Sequence, residues 1–189
     1  MPFPDEATDV SVVDYQDTWP RDFERIAERL RPALVGLAVA VDHVGSTSVP
    51  GLAAKDCVDV QVRMTSLDEA RDVPLLAALG FRCRPEPWNR SEISFGRSGP
   101  KLVFAPPPGA RRCNVHLREH GRSNATYALL FRDYLRADRG AREAWGAFKR
   151  RLARSARTLE EYGQIKAPAT DALMAGARLW AVQTGWTPR

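Results

Sequence analysis

Lysine is the scarce base of this chain: Lys55, Lys101, Lys149 and Lys166 stand against 24 arginines in 189 residues. Cysteine is also sparse. Cys57, Cys83 and Cys113 are odd in number, widely spaced and form no C-x-x-C pair. That pattern excludes a disulfide framework, argues against a zinc site, and fits reduced thiols. No apolar run approaches the roughly 20 residues of a membrane span. The opening MPFPDEATDV is acidic and lacks an apolar h-region, so no secretory signal is expected there, and a cytoplasmic location is. Internal repeats, low-complexity blocks and long linkers are missing too.

What remains is ordinary for a globular domain: 44% hydrophobic and 27% charged residues. The net charge of +5 is unevenly spread. Residues 1–30 hold 8 acids and 3 bases, and residues 111–157 hold 13 bases and 4 acids. A basic C-terminal part can meet an anionic ligand, a nucleic acid or an acidic partner. The preference for Arg over Lys, with abundant Ala, reads partly as coding bias. Base-contact motifs are absent, so nucleic acid is not the expected partner.

The chain is organised around residues 43–62, HVGSTSVPGLAAKDCVDVQV. Ala38–Val44 and Cys57–Val62 read as strands, and the loop between them is small, polar and glycine-bounded. Gly45 permits close backbone approach, Ser46, Thr47 and Ser48 offer hydroxyls, and Lys55 adds charge, together a cradle for phosphate oxygens. Asp59 is a hard oxygen ligand on the following strand. The plain alternatives are a connecting loop, and an Asp59 paired to Lys55 or an arginine.

Before that stretch, Asp14–Leu37 reads as an amphipathic helix with Thr18 as cap and Pro20 in its first turn. After it, Ser66 with Glu69 reads as a capping box for a second helix. Phe81–Arg84, Glu92–Phe95, Leu102–Ala105 and Val115–Leu117 read as further strands, giving a mixed or antiparallel sheet of about five. Trp88–Arg90 and Gly96–Gly99 read as surface loops. From Asn124 onward the pattern is helical. Tyr127, Leu130, Phe131, Tyr134 and Leu135 make one stripe, and Trp145, Phe148 and Leu152 another. Thr158–Glu161 is a further capping box before a last helix that Pro168 restarts or kinks. The expected organisation is one α+β domain over 1–189, with an α/β half to about residue 122 and a helical half from about 123.

The run HVGSTSVPGLAAKDCVDV resembles the GrpB family signature H-h-G-S-T-[AS]-V-P-G-L-x-[AS]-K-P-h-h-D-h, where h is apolar. Asn114–Leu117, Leu130–Arg136, Tyr162 and Lys166 resemble later family runs, so the likeness spans about Tyr15 to Leu179. It implies a nucleotidyltransferase-like mixed sheet with flanking helices and a C-terminal helical half. In that superfamily a Gly-Ser pair precedes a metal-binding acid on the next strand. The resemblance therefore implies Asp59 and His116 as catalytic residues, and Asp59, Gln61 and His116 as ligands for Mg or Mn. It implies Gly45, Ser46, Thr47, Ser48, Lys55, Arg132, Tyr162 and Lys166 as nucleotide-binding.

Two departures matter. Residue 61 is Gln where a second carboxylate at i+2 would share a metal on the same strand face, and Asp56 replaces the usual proline and reads as exposed variation. Glu92 is the other strand carboxylate available as a third acid. His43 reads as the residue closing its strand, and Arg132–Asp133 equally as an ion pair. Three readings follow: metal-dependent nucleotidyl transfer, binding of a nucleotide or phosphorylated metabolite without transfer, and a non-catalytic accessory or folding partner of another protein. Dephospho-CoA kinase is the candidate partner, because some family members are fused behind it. The sequence has no G-x-x-x-x-G-K-[ST] and is not read as that kinase.

Overall fold

A computed structural model describes residues 3–6 and 8–189. The elements run α1 (Trp19–Ala33), β1 (Ala38–Val44), β2 (Val58–Met64), α2 (Glu69–Ala78), β3 (Arg82–Cys83), β4 (Ser91–Ser94), β5 (Arg97–Ala105), β6 (Cys113–Glu119), α3 (Ser123–Ala137), α4 (Arg139–Ser155) and α5 (Leu159–Thr184). The sheet has six strands in the order β1-β2-β6-β5-β3, with β4 paired to β5. Among the described residues only β2 and β6 run parallel; the other pairs are antiparallel. The protein is thus α+β with a mixed sheet. Among the described residues no helix is long and apolar enough to cross a membrane.

Strand alternation sorts the two faces. Val58, Val60, Val62 and Met64 of β2, with Val115 and Leu117 of β6, are fully buried and pack with Phe23, Ile26 and Leu30 of α1 and Leu76 of α2. Asp59, Gln61 and Arg63 alternate with them, as do Asn114, His116 and Arg118. This polar face lies under the C-terminal helices: Gln61 Nε2 donates to the Ala125 carbonyl of α3 at 3.3 Å.

Helix α1 is shorter than its apolar pattern suggests. Val13 and Ala54 exchange backbone hydrogen bonds of 2.9 and 3.0 Å, which holds the preceding segment extended. Thr18 has helical dihedrals and makes no side-chain cap bond, because a capping hydroxyl needs the extended conformation to reach the first amides. Asp68, not Ser66, caps α2. It is extended, and its carboxylate accepts from Ala70 N and Arg71 N. Gly96–Gly99 is not a loop but mostly the start of β5. Ser94 pairs with Arg97, leaving Phe95–Gly96 as a two-residue turn with φ of 54° and 73°. Pro168 sits inside an uninterrupted α5.

The loop after β1 ties the two parts together. Val49 and Leu52 are buried against Leu135 of α3 and Trp145 of α4. Arg136 Nε and Nη2 donate to the Ser48 carbonyl at 3.0 and 2.8 Å.

Candidate functional site

Parallel pairing aligns Asp59 with Asn114 and Gln61 with His116 on the helix-covered face of the sheet. Asn114 Nδ2 donates to Asp59 Oδ1 at 3.1 Å, and His116 Nε2 lies 3.7 Å from the same oxygen, too long for a hydrogen bond. Above Asp59 passes the loop. Gly45 has φ of 70°, and a Cβ there would collide with Asp59 Oδ2, so glycine is needed for both dihedral and space. The Ser48 hydroxyl donates to the Gly45 carbonyl at 2.6 Å, closing the 3-10 turn Ser46–Ser48. Thr47 Oγ1 and His43 Nε2 are hydrogen-bonded at 3.0 Å, and the His43 ring stacks on Phe23.

Ser46, Thr47, Lys55, Asp59, Asn114, Lys149, Tyr162 and Lys166 line one cleft of about 170 Å³. Three of the four lysines of the chain therefore converge on a single carboxylate. Lys149, from α4, is 3% exposed, and its Nζ has no hydrogen-bond partner among the described residues. Lys55 Nζ lies 5.3 Å from the centre of the Tyr162 ring, which holds it by a cation–π contact.

The charges are tuned accordingly. Burial pushes Lys149 well below its ordinary value, and the cations Lys166 and Arg150 push the same way. Burial and Lys55 likewise lower Lys166. Burial works to raise the Asp59 carboxyl, but His116, Asn114 and Lys166 outweigh it and lower it to about 2. Burial and then Arg118 lower His116, against the opposing pull of Asp59.

The residues singled out from the sequence do not all meet here. Ser46, Thr47, Lys55, Asp59, Tyr162 and Lys166 line the cleft. His116 borders it through Asp59. Ser48 is turned back to Gly45, and Arg132 is not brought in: its guanidinium bonds Asp133 at 2.6 Å and the His43 carbonyl at 3.4 Å. Gln61 is fully buried, and its Oε1 accepts from Arg118 Nη1 at 3.0 Å. Glu92 is held by the same arginine at 2.5 Å and by Lys101 at 3.3 Å. Asp56 is not idle variation: it accepts from the Trp19 indole at 2.7 Å and pairs with Arg111. Sequence reasoning missed Lys149 and gave Asn114 no role in the site. The signal for Lys149 was the scarcity of lysine itself.

A resident Mg or Mn ion does not fit this donor set. Such ions are held through carboxylate and other oxygens. Here one carboxylate is present, the Gln61 oxygen is engaged by a guanidinium, and three lysines face the space. Among the described residues no three His, Cys, Asp or Glu are grouped to hold a metal. The surroundings suit an anion.

Residues 9–175 match the family model described as GrpB protein. The chain belongs to the GrpB family. A crystal structure of conserved protein GrpB from Enterococcus faecalis superposes with a TM-score of 0.74 at 27% identity, covering 90% of this chain and 99% of that one. A UPF0157 protein of Halalkalibacterium halodurans is 34% identical over 169 residues, 87% of this chain and 80% of its own. Dephospho-CoA kinase of Mycobacterium tuberculosis is 36% identical over 196 residues, 94% of this chain but 48% of the kinase. This GrpB chain thus spans about half the length of the dephospho-CoA kinases it matches.

Proposed function

We propose that the cleft of this GrpB protein binds the phosphate groups of a nucleotide or other phosphorylated small molecule, with no resident metal. The supporting observation is the Lys149 amine, buried without a partner beside Lys55 and Lys166. A buried cation is costly unless it is paired, and a polyphosphate carries enough anionic oxygens to pair with all three amines. Ser46 and Thr47 also line the cleft. Asp59 offsets part of the charge of Lys149 and Lys166 through space. Binding rather than nucleotidyl transfer is favoured, since transfer of that kind relies on metal ions held by carboxylates.

Calorimetry with tripolyphosphate and nucleoside triphosphates, with and without Mg²⁺, tests this. Binding should persist without Mg²⁺ and fall at least tenfold in Lys149→Met and in Lys55→Ala. Equal affinity in wild type and both variants would sink the reading. Metal-dependent release of pyrophosphate from a nucleoside triphosphate, abolished by Asp59→Asn, would instead favour the transferase.

The relatives named dephospho-CoA kinase, in which a matching region is part of the kinase chain, support a second reading: this protein associates with a separate dephospho-CoA kinase. Sedimentation of the two purified chains, mixed and apart, decides it by the presence or absence of a joint species.

A further inference from the structure

Leu159, Tyr162 and Lys166 stand three and four residues apart on α5, so they share one helix face. Tyr162 and Lys166 line the lysine cleft, while Leu159, with Arg157 and Thr158, lines a second and wider one of about 780 Å³. Asn114 belongs to both walls. Its Nδ2 donates to Asp59 on one side, and its Oδ1 accepts from Arg84 Nη2 on the other at 3.2 Å. The two spaces are therefore adjacent, with the Asn114 side chain as their shared wall.

Size separates their roles. Small-molecule sites measure roughly 300–1,000 Å³. The lysine cleft, at about 170 Å³, is too small for a nucleoside; the wide cleft has the room. On its rim, in the turn Pro87–Asn89, Trp88 is 61% exposed and makes no ring contact with another aromatic among the described residues. A free indole face beside a cleft of this size is a stacking platform for a planar ring.

We infer that the wide cleft is the organic half of the same site, and that its occupant is the base of a nucleotide stacked on Trp88 while the phosphates reach the lysines past Asn114. This inference rests on the phosphate reading above. Arg157 also lines the wide cleft and adds a cation beside a ligand laid along α5.

The test compares tripolyphosphate with the four common nucleoside triphosphates by calorimetry on wild type, Trp88→Ala and Trp88→Phe. Trp88 is exposed, so both variants retain the fold, which circular dichroism checks. At least one nucleotide should bind wild type about tenfold or more tighter than tripolyphosphate, the scale of base–aromatic stacking. Trp88→Ala should remove that advantage and Trp88→Phe should keep most of it, with tripolyphosphate affinity equal in all three proteins. An advantage that survives in Trp88→Ala, or its absence in wild type, overturns the inference and leaves the phosphate reading standing. Undetectable binding of every probe to wild type overturns both.

Discussion

Lys149 is where the chemistry of a single residue is most exposed to measurement. Its amine is buried, unpartnered and flanked by Lys166 and Arg150, so its folded-state pKa lies well below the ordinary 10.5. The unfolded chain then binds the extra proton between the two values, and stability rises with pH across that window. Below the folded value the penalty is complete; above about 10.5 it is gone. Lys149→Met should therefore raise the melting temperature near neutrality, by about 2–4 °C per kcal/mol at this chain length. The gap to wild type should narrow as pH climbs from 7 toward 10. Cys57 and Cys113, both pushed up to about 12 by burial, remain in both proteins and cancel in the difference. Melting curves that stay parallel across this range would assign the buried charge elsewhere.

At the scale of elements, α2 distinguishes a motif from a contact. Ser66 and Glu69 match a capping box in spacing, yet Asp68 receives the two amide hydrogen bonds, from Ala70 and Arg71. Asp68→Ala should cost about 1 kcal/mol, whereas Ser66→Ala, whose hydroxyl makes no cap, should stay within about 0.5 kcal/mol. Urea unfolding of the two variants checks the order, and a larger loss in Ser66→Ala would reverse the assignment. Strands β2 and β6 were legible through their apolar alternation. The first residues of β5 were not, because Arg, Ser and Gly are depleted in strands and only pairing with β4 makes them one.

For the molecule as a whole, the signature loop is both a wall of the cleft and the joint between sheet and helices. Ser46 and Thr47 line the cleft, while Val49 and Leu52 enter the cluster of Leu135 and Trp145. Leu52 is 1% exposed, so Leu52→Ala should cost about 2–5 kcal/mol. Because the same loop carries the hydroxyls, tripolyphosphate binding should weaken in that variant too. Unfolding followed by tryptophan fluorescence and by circular dichroism should shift to a lower urea midpoint in one coincident transition. Two separate transitions would show that the helices and the sheet unfold independently.

Local physics carried much of this protein on its own. A short β-branched run marks β1, apolar residues at period 2 mark β2 and β6, stripes at helical spacing mark α1 and α3–α5, and the small polar run 45–48 marks the loop over Asp59. Those signals depend only on neighbours in the chain. The cleft depends on neighbours in space. Parallel pairing of β2 with β6 sets Asp59 beside Asn114, 55 residues away. Packing of α4 and α5 over the polar face turns Lys149 and Lys166 toward them. Arg118 takes the oxygen of Gln61, and Asp133 takes Arg132 out of the site. Periodicity says which face of an element is buried, but which partner satisfies a buried polar atom is decided only when the elements close on one another, because each such atom binds whatever complementary group the packing brings within reach.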